Sequence, residues 1–278
     1  MGIAEVIALI VVAAGAGTLG TMLGLGGGIF LVPILSLVFD IPLRSAIAAS
    51  AISVVANSVS GSRIYLQARY TNVRLAYVLL VPTATGAIVG GVLATSMPLA
   101  ALKIVFATLL ITIAYIMVRR RNPGAIPVAR SRAPDPLRLI GRYVDGPAGD
   151  VVTYVPRRVR YGFPMASLGG VASGLFGIGG GPVIVPVMNL LMRVPVKAAA
   201  STSSFMVGMT ASASALIYYS RGHVDPVVTV ISVAGIIVGA RVGARLASKL
   251  RQDLLVVLFV VVLTVLAFSM YLDAFGVL

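Results

Sequence analysis

Cysteine and tryptophan are absent from the 278 residues, and histidine occurs once, as His223. Without cysteine there is no disulfide, no thiolate metal site and no route that passes sulfur through a persulfide. One histidine and no set of carboxylates at ligand spacing leave a metalloenzyme without ligands and a serine nucleophile without its base. The expectation is therefore no enzyme activity, no metal and no cofactor. Charge is scarce too, at 11% of residues against roughly 25% in a soluble domain. The eight acidic residues are Glu5, Asp40, Asp135, Asp145, Asp150, Asp225, Asp253 and Asp273. None falls in the middle of an apolar run, so a buried carboxylate proton relay has no candidate.

What fills the chain instead is hydrocarbon. Hydrophobic residues make up 59% and mean hydropathy is +1.04. Runs near the ~20 residues that cross a bilayer recur at Leu75 to Thr95, Leu99 to Val118, Val196 to Tyr219, Val227 to Leu246 and Leu254 to Tyr271. This is the pattern of an all-α polytopic membrane protein whose large partner is the lipid bilayer. The first run has no basic flank and flows straight into more apolar sequence, which marks a span and not a cleaved signal peptide. The net charge of +14 would suggest nucleic acid as a partner in a soluble protein. In a membrane protein the positive-inside rule accounts for it, and no nucleic-acid partner is expected.

Ten apolar segments flank a different central stretch. They cover 3–23, 29–39, 46–61, 75–95 and 99–118, then 163–176, 183–192, 196–219, 227–246 and 254–271; the second and seventh are too short to span alone. Residues 119–161 hold ten arginines and several prolines. Three regions follow: a first repeat at 1–118, a linker at 119–161 and a second repeat at 162–278. Within the linker, RYVDGPAGDVVTYVPRRVR alternates β-prone residues around an Asp-Gly turn signal. Both a small hairpin and a disordered linker accommodate it.

The halves repeat at a constant offset of 153 residues. Gly24, Gly26, Gly27, Gly28, Val32, Pro33, Leu37, Pro42, Ala46 and Ser50 recur as Gly177, Gly179, Gly180, Gly181, Val185, Pro186, Leu190, Pro195, Ala199 and Ser203, ten identities in 27 positions. Asp40 faces Arg193 across the repeat, so that identity is not kept. Five segments per half is an odd number, which inverts the second half relative to the first. With the linker in the cytoplasm, 19 of the 22 basic residues fall on that side and only Arg44, Lys103 and Arg221 outside. Both termini are then outside. Inverted repeats with interrupted helices are the plan of secondary transporters, with the substrate near the midplane.

The glycine clusters Gly26 to Gly28 and Gly179 to Gly181 mark where the chain leaves the helix at depth. Unwound backbone survives in a membrane only where protein buries it or a watery cavity receives it. The short segments that follow, containing Pro33 and Pro186, are expected to be half helices or re-entrant. A helix that starts there points free N–H groups and its positive end at the cavity, which favours an anion. Gly86, Gly90, Gly91, Gly235 and Gly239 are instead expected to pack helices closely.

With those residues in view, GLGGGIFLVPILSLVFDIPLRSAIAAS and GIGGGPVIVPVMNLLMRVPVKAAASTS resemble the paired signature of the TauE/SafE sulfite exporter family, also called the toluene sulfonate uptake permeases. The resemblance implies transport of a small sulfur-containing anion, organic or inorganic, such as sulfite, a sulfonate or sulfoacetate, across a bacterial inner membrane. It nominates Gly24, Gly26 to Gly28, Pro33, Pro42 and Arg44, and Gly177, Gly179 to Gly181, Pro186, Pro195 and Lys197.

Polar side chains follow each motif. Ser50, Ser53, Asn57 and Ser60 lie on one helix face, and the second half offers Ser203, Ser204, Thr210 and Ser214. Hydroxyls and amides bind a sulfonate without burying a second charge; the competing role is a bond to backbone or a neighbouring helix. The expected substrate-binding set is Gly26, Gly27, Gly28, Ser50, Ser53, Asn57, Gly179, Gly180, Gly181, Ser203, Ser204 and Thr210, with Arg44 and Lys197 steering anions at opposite vestibules. Snorkelling is the other reading of those two cations, and of Arg241 and Arg245. Two rivals stand against a carrier. Gly15, Gly17 and Gly20 with Asp40 imitate a dinucleotide fingerprint, but no strand–helix alternation follows and the second half does not keep it. A channel uses the same half helices, and only flux measurements separate it from a carrier.

Overall fold

A computed structural model describes residues 2–119, 138–145, 150–246 and 252–275. The Asp-Gly turn at 145–146, most of the linker, and Lys249 and Arg251 of the charge count lie wholly or partly outside these residues. The described chain is all-α apart from one strand pair: α1 (Ile3–Leu23), α2 (Gly28–Leu37), α3 (Leu43–Gln67), α4 (Val73–Ser96), α5 (Leu99–Arg119), β1 (Gly141–Asp145), β2 (Asp150–Tyr154), α6 (Val159–Phe176), α7 (Gly181–Pro186), α8 (Val196–Ser220), α9 (Pro226–Leu246) and α10 (Gln252–Ala274). A π-helical turn, Val187–Leu191, prolongs α7. Helices α1, α3, α4, α5 and α9 are long and apolar enough to cross a bilayer. Their outer faces carry Val11, Val59, Val81, Ile111 and Val230 in the open, a surface that lipid covers and water would not. The protein is a polytopic helical membrane protein.

The 153-residue offset extends from sequence to element boundaries: α3 at 43–67 is matched by α8 at 196–220, and α2 begins at Gly28 as α7 begins at Gly181. The caps correspond as well. Gly24 and Gly177 end α1 and α6 in the left-handed conformation. Gly27 and Gly180 precede α2 and α7, Pro42 and Pro195 precede α3 and α8, and Asn72 and Asp225 stand at the starts of α4 and α9. Even the mismatched pair is one in backbone terms, since Asp40 has φ 52° and Arg193 φ 55°.

Small residues set how the halves interlock. Along α1 and α9, Gly235 lies against the Ile10 carbonyl, Gly239 against Ala14 and Gly243 against Thr18. Both helices advance four residues per contact, so they run parallel. The counterpart seam joins α4 to α6, with Gly86 on Ser167, Gly170 on Thr83, Gly90 on Val171 and Gly174 on Ala87. Close approach of backbones through small residues is the usual means of helix association in lipid. Each half thus packs its first helix against the fourth helix of the other half. Helices α3 and α8 cross at the centre in opposite directions: the carbonyl of Val55 faces Gly208, while Ser58 faces Ser204.

One face carries a strand pair. Strands β1 and β2 pair antiparallel from Gly141↔Tyr154 to Asp145↔Asp150. Their aromatic residues Tyr143 and Tyr154, with Leu139, join Leu75, Met192 and Val194 in one apolar cluster. The Asn72 amide Nδ2 donates to the Leu139 carbonyl at 2.8 Å, and the Asn72 backbone N–H donates to Thr202 Oγ1 at 3.0 Å. Burial pushes the Tyr154 phenol up to about 12, against a lowering hydrogen bond from Asn72.

Candidate functional site at the paired helix breaks

Three of the four residues from Gly24 to Gly27, and three of the four from Gly177 to Gly180, have positive φ, between 61° and 81°. A side chain makes that conformation costly, so glycine is required there by backbone geometry. The turns fold tightly: Leu25 and Gly26 N–H groups both donate to the Gly20 carbonyl, at 2.7 and 3.2 Å. At the start of α2, Phe30 and Leu31 both donate to the Gly27 carbonyl. In the second half, Val183 and Ile184 donate to Gly180 in the same way.

Each break is held by a hydroxyl from the other half. Ser50 Oγ donates to the Gly177 carbonyl at 3.1 Å, and Ser203 Oγ donates to the Gly24 carbonyl at 2.9 Å. Serine and acceptor both shift by 153 residues between the two bonds, so they are one interaction made twice. Between the breaks stand Val54 and Val207, also equivalent. A Cβ on Gly26 would meet Val207 Cγ1 at 2.7 Å and Val54 Cγ1 at 3.0 Å, and one on Gly179 would meet the same two methyls. Valine methyls thus fill the space between the glycine turns.

The remaining predicted residues divide by what they touch. Thr210 Oγ1 lies within bonding distance of the Gly179 carbonyl at 3.1 Å and of Met206 in its own helix at 3.0 Å. Asn57 Oδ1 accepts from Thr21 Oγ1 at 2.8 Å, which ties α3 to the end of α1. Ser53 and Ser204 are buried, at 0% and 2% exposure, and their hydroxyls have no hydrogen-bond partner among the described residues. Ser53 belongs to α3 and Ser204 to α8, the two helices that cross at the centre. Gly28 lies 2.6 Å, by its would-be Cβ, from Ser50 Oγ, and Gly181 is equally close to the Gly24 carbonyl. Gly27 and Gly180 differ: they back onto the Ala16 and Gly169 carbonyls of α1 and α6. A side chain there strikes helix backbone and not space between the repeats.

Four positions escaped the sequence reading. Val54 and Val207 repeat at the right offset, but a valine carries no signal in so apolar a chain. Thr21 has no equivalent, since Gly174 occupies its place. Asn72 is legible as a helix start, yet its ties to the hairpin are tertiary.

The cations sit at the ends. Arg44, half-buried, donates from Nη2 to the Met97 carbonyl at 2.9 Å, fastening α3 to the turn between α4 and α5, while its Nε is buried with no hydrogen-bond partner among the described residues. Lys197, the equivalent residue at the start of α8, is half-buried. Near Arg44 lies His223, whose pKa is lowered below its ordinary value by desolvation, then by the charges of Arg44 and Arg221. At the end where α1 begins, a cavity of about 720 Å³ is lined by Glu5, Ala8, Phe39, Asp40, Ile41, Asp225 and neighbours.

Comparison with known proteins places the chain. The family model described as Sulfite exporter TauE/SafE matches residues 9–270. A probable membrane transporter protein, YunE of Bacillus subtilis (strain 168), is 27% identical over 226 residues, 78% of this chain and 79% of its own. A probable membrane transporter of Methanocaldococcus jannaschii is 28% identical over 223 residues, 78% of this chain and 73% of its own. A second B. subtilis protein, the probable membrane transporter YdhB, is 26% identical over 220 residues, 78% of this chain and 80% of its own. No solved structure matches.

Proposed function

The chain belongs to the TauE/SafE sulfite exporter family, and from that premise we propose that it is a secondary transporter of small sulfur-containing anions of the sulfite, sulfonate or sulfoacetate type. It works in a bacterial inner membrane, with both termini outside and the 119–161 linker in the cytoplasm. Substrate binds between the two glycine turns. The reciprocal pair Ser50 to Gly177 and Ser203 to Gly24 carries this reading, because it brings the two helix breaks to one place on the twofold relation of the halves. Around that place the chain offers Ser53 and Ser204 hydroxyls without partners among the described residues and the start of α2, while at the start of α7 Pro182 has no N–H to give. Such neutral donors suit a delocalised oxyanion and release it.

Alternating access follows from the same arrangement. Two equivalent halves whose central helices cross through one valine pair can exchange conformations by rocking about that crossing. Val54 and Val207 close the centre in the present conformation, and a carrier requires such a closed barrier on at least one side at all times. Arg44 and Lys197, at opposite ends, are the steering cations of this reading, with Arg44 working against the Glu5, Asp40 and Asp225 that line the cavity at its end.

The test is uptake by proteoliposomes of purified protein, with sulfite, sulfoacetate and an aromatic sulfonate compared with chloride and phosphate. The expected result is saturable uptake of at least one sulfur oxyanion, well above chloride. Carriage of chloride or phosphate with none of the sulfur oxyanions would overturn the substrate class.

A further inference from the structure

The 153-residue equivalence extends to surfaces: four residues that line the cavity at one end have equivalents that are packed against the hairpin segment's cluster at the other. Phe39, Ile41, Asp225 and Val228 line the 720 Å³ cavity. Their equivalents are Met192, Val194, Asn72 and Leu75. Those four residues do not line open space: Met192, Val194 and Leu75 are buried in the cluster that contains Leu139, Tyr143 and Tyr154 of the hairpin segment, and Asn72 bonds to Leu139. The Arg157 N–H also donates to the Met192 carbonyl at 2.9 Å, drawing the chain after β2 over the same spot.

We propose that the β1–β2 hairpin is a removable plug, seated in the counterpart of the open cavity and latched by Asn72. The latch is a single residue with several bonds. Asn72 Oδ1 caps α4 by accepting from the Leu75 N–H at 3.1 Å, its backbone N–H reaches Thr202 of α8, and its Nδ2 holds the Leu139 carbonyl. At the open end the equivalent Asp225 keeps only the cap, accepting from Val227 and Val228 at 2.9 and 3.1 Å. A carboxylate has no N–H with which to hold a hairpin carbonyl. At this pair of equivalent positions the seated end has Asn and the open end Asp.

The linings differ in charge as well. The open cavity carries Glu5, Asp40 and Asp225, whereas the equivalents of the first two are Arg158 and Arg193. Unseating the hairpin uncovers a mouth rimmed by arginine, which attracts an anion. This consequence for flux rests on the transport reading; the plug itself does not.

The absence of cysteine makes the test clean. Met192→Cys places a thiol under the hairpin and Phe39→Cys places one in the open cavity, each labelled by a membrane-impermeant maleimide on detergent-solubilised full-length protein. Phe39→Cys is expected to react quickly and Met192→Cys at least ~10-fold more slowly. Adding Asn72→Asp, which keeps the helix cap but removes the latch donor, should raise Met192→Cys labelling ~10-fold while leaving Phe39→Cys unchanged. Tyr154→Ala should do the same by removing the packed ring. Equal labelling of the two thiols in the native background, or protection of Met192→Cys that survives both substitutions, would overturn the plug. Proteoliposome flux of Asn72→Asp is measured separately and should rise. A protein that labels as expected but carries no sulfur oxyanion removes the transport reading and leaves the plug standing.

Discussion

At the residue scale, the bonds that close the helix breaks are the sharpest claim. Ser50 and Ser203 were legible as a pair because the repeat keeps both, but their acceptors were not. Sequence gives the donor, and only the fold brings the carbonyl of the opposite half to it. Ser50→Ala and Ser203→Ala each leave a buried glycine carbonyl short of a partner, at a cost of about 1–2 kcal/mol. Thermal unfolding in detergent should show similar losses for the two, and a loss for one alone would contradict their equivalence. His223 gives a second residue-scale prediction. Its pKa, followed by NMR, should lie below 6.5 and move up in Arg44→Gln, since the Arg44 charge helps depress it. Because the folded value is depressed, this group's contribution to stability is present above the unfolded pKa. It fades as pH falls through the folded pKa. The glycines need finer distinction than their clustering conveys. Gly26 and Gly179 face the valine pair, and Gly27 and Gly180 face helix backbone. Gly27→Leu should therefore impair folding, an outcome that the cavity reading of all six glycines did not anticipate, and size-exclusion chromatography reads it directly.

At the element scale, the sequence reading came close. The short segments at 29–39 and 183–192 became α2 and the α7–π-turn unit, and the long runs became helices with ends shifted by a few residues. Hydropathy periods and glycine caps are local signals, and those boundaries depend on local energetics. Partner choice does not, and nothing in the pattern announces that α1 pairs with α9 or α4 with α6. The glycine seams carry that pairing. Gly239 touches the Ala14 backbone, while a Cβ on Gly15 of the same helix pair would meet nothing within 4 Å. Gly239→Leu should abolish a monodisperse folded protein. Gly15→Ala should be neutral or raise thermal stability by up to ~1 kcal/mol, the helix-propensity difference between the two residues. If both variants behaved alike, the parallel α1–α9 seam would be wrong.

At the scale of the whole molecule, the repeat was legible in ten identities and the basic residues suggested its orientation. The interlocking of the halves was not legible, because it consists of backbone contacts between apolar helices. Parallel α1–α9 and α4–α6 seams and antiparallel α3 and α8 suit two halves of opposite orientation. Reporter fusions at residue 140 and at the C-terminus should accordingly report opposite sides of the membrane, the first cytoplasmic. Among the described residues, a cavity lies at the end where α1 begins and the β1–β2 pair packs at the counterpart positions of the second half. The most direct measurement is countertransport: proteoliposomes loaded with unlabelled sulfite, or whichever sulfur oxyanion the uptake panel selects, and exposed to the labelled anion outside. A carrier with one site between two equivalent halves predicts saturable uptake that is faster when the lumen is preloaded. Unsaturable flux that preloading does not accelerate, accompanied by unitary currents in planar bilayers, would contradict it and identify an anion channel.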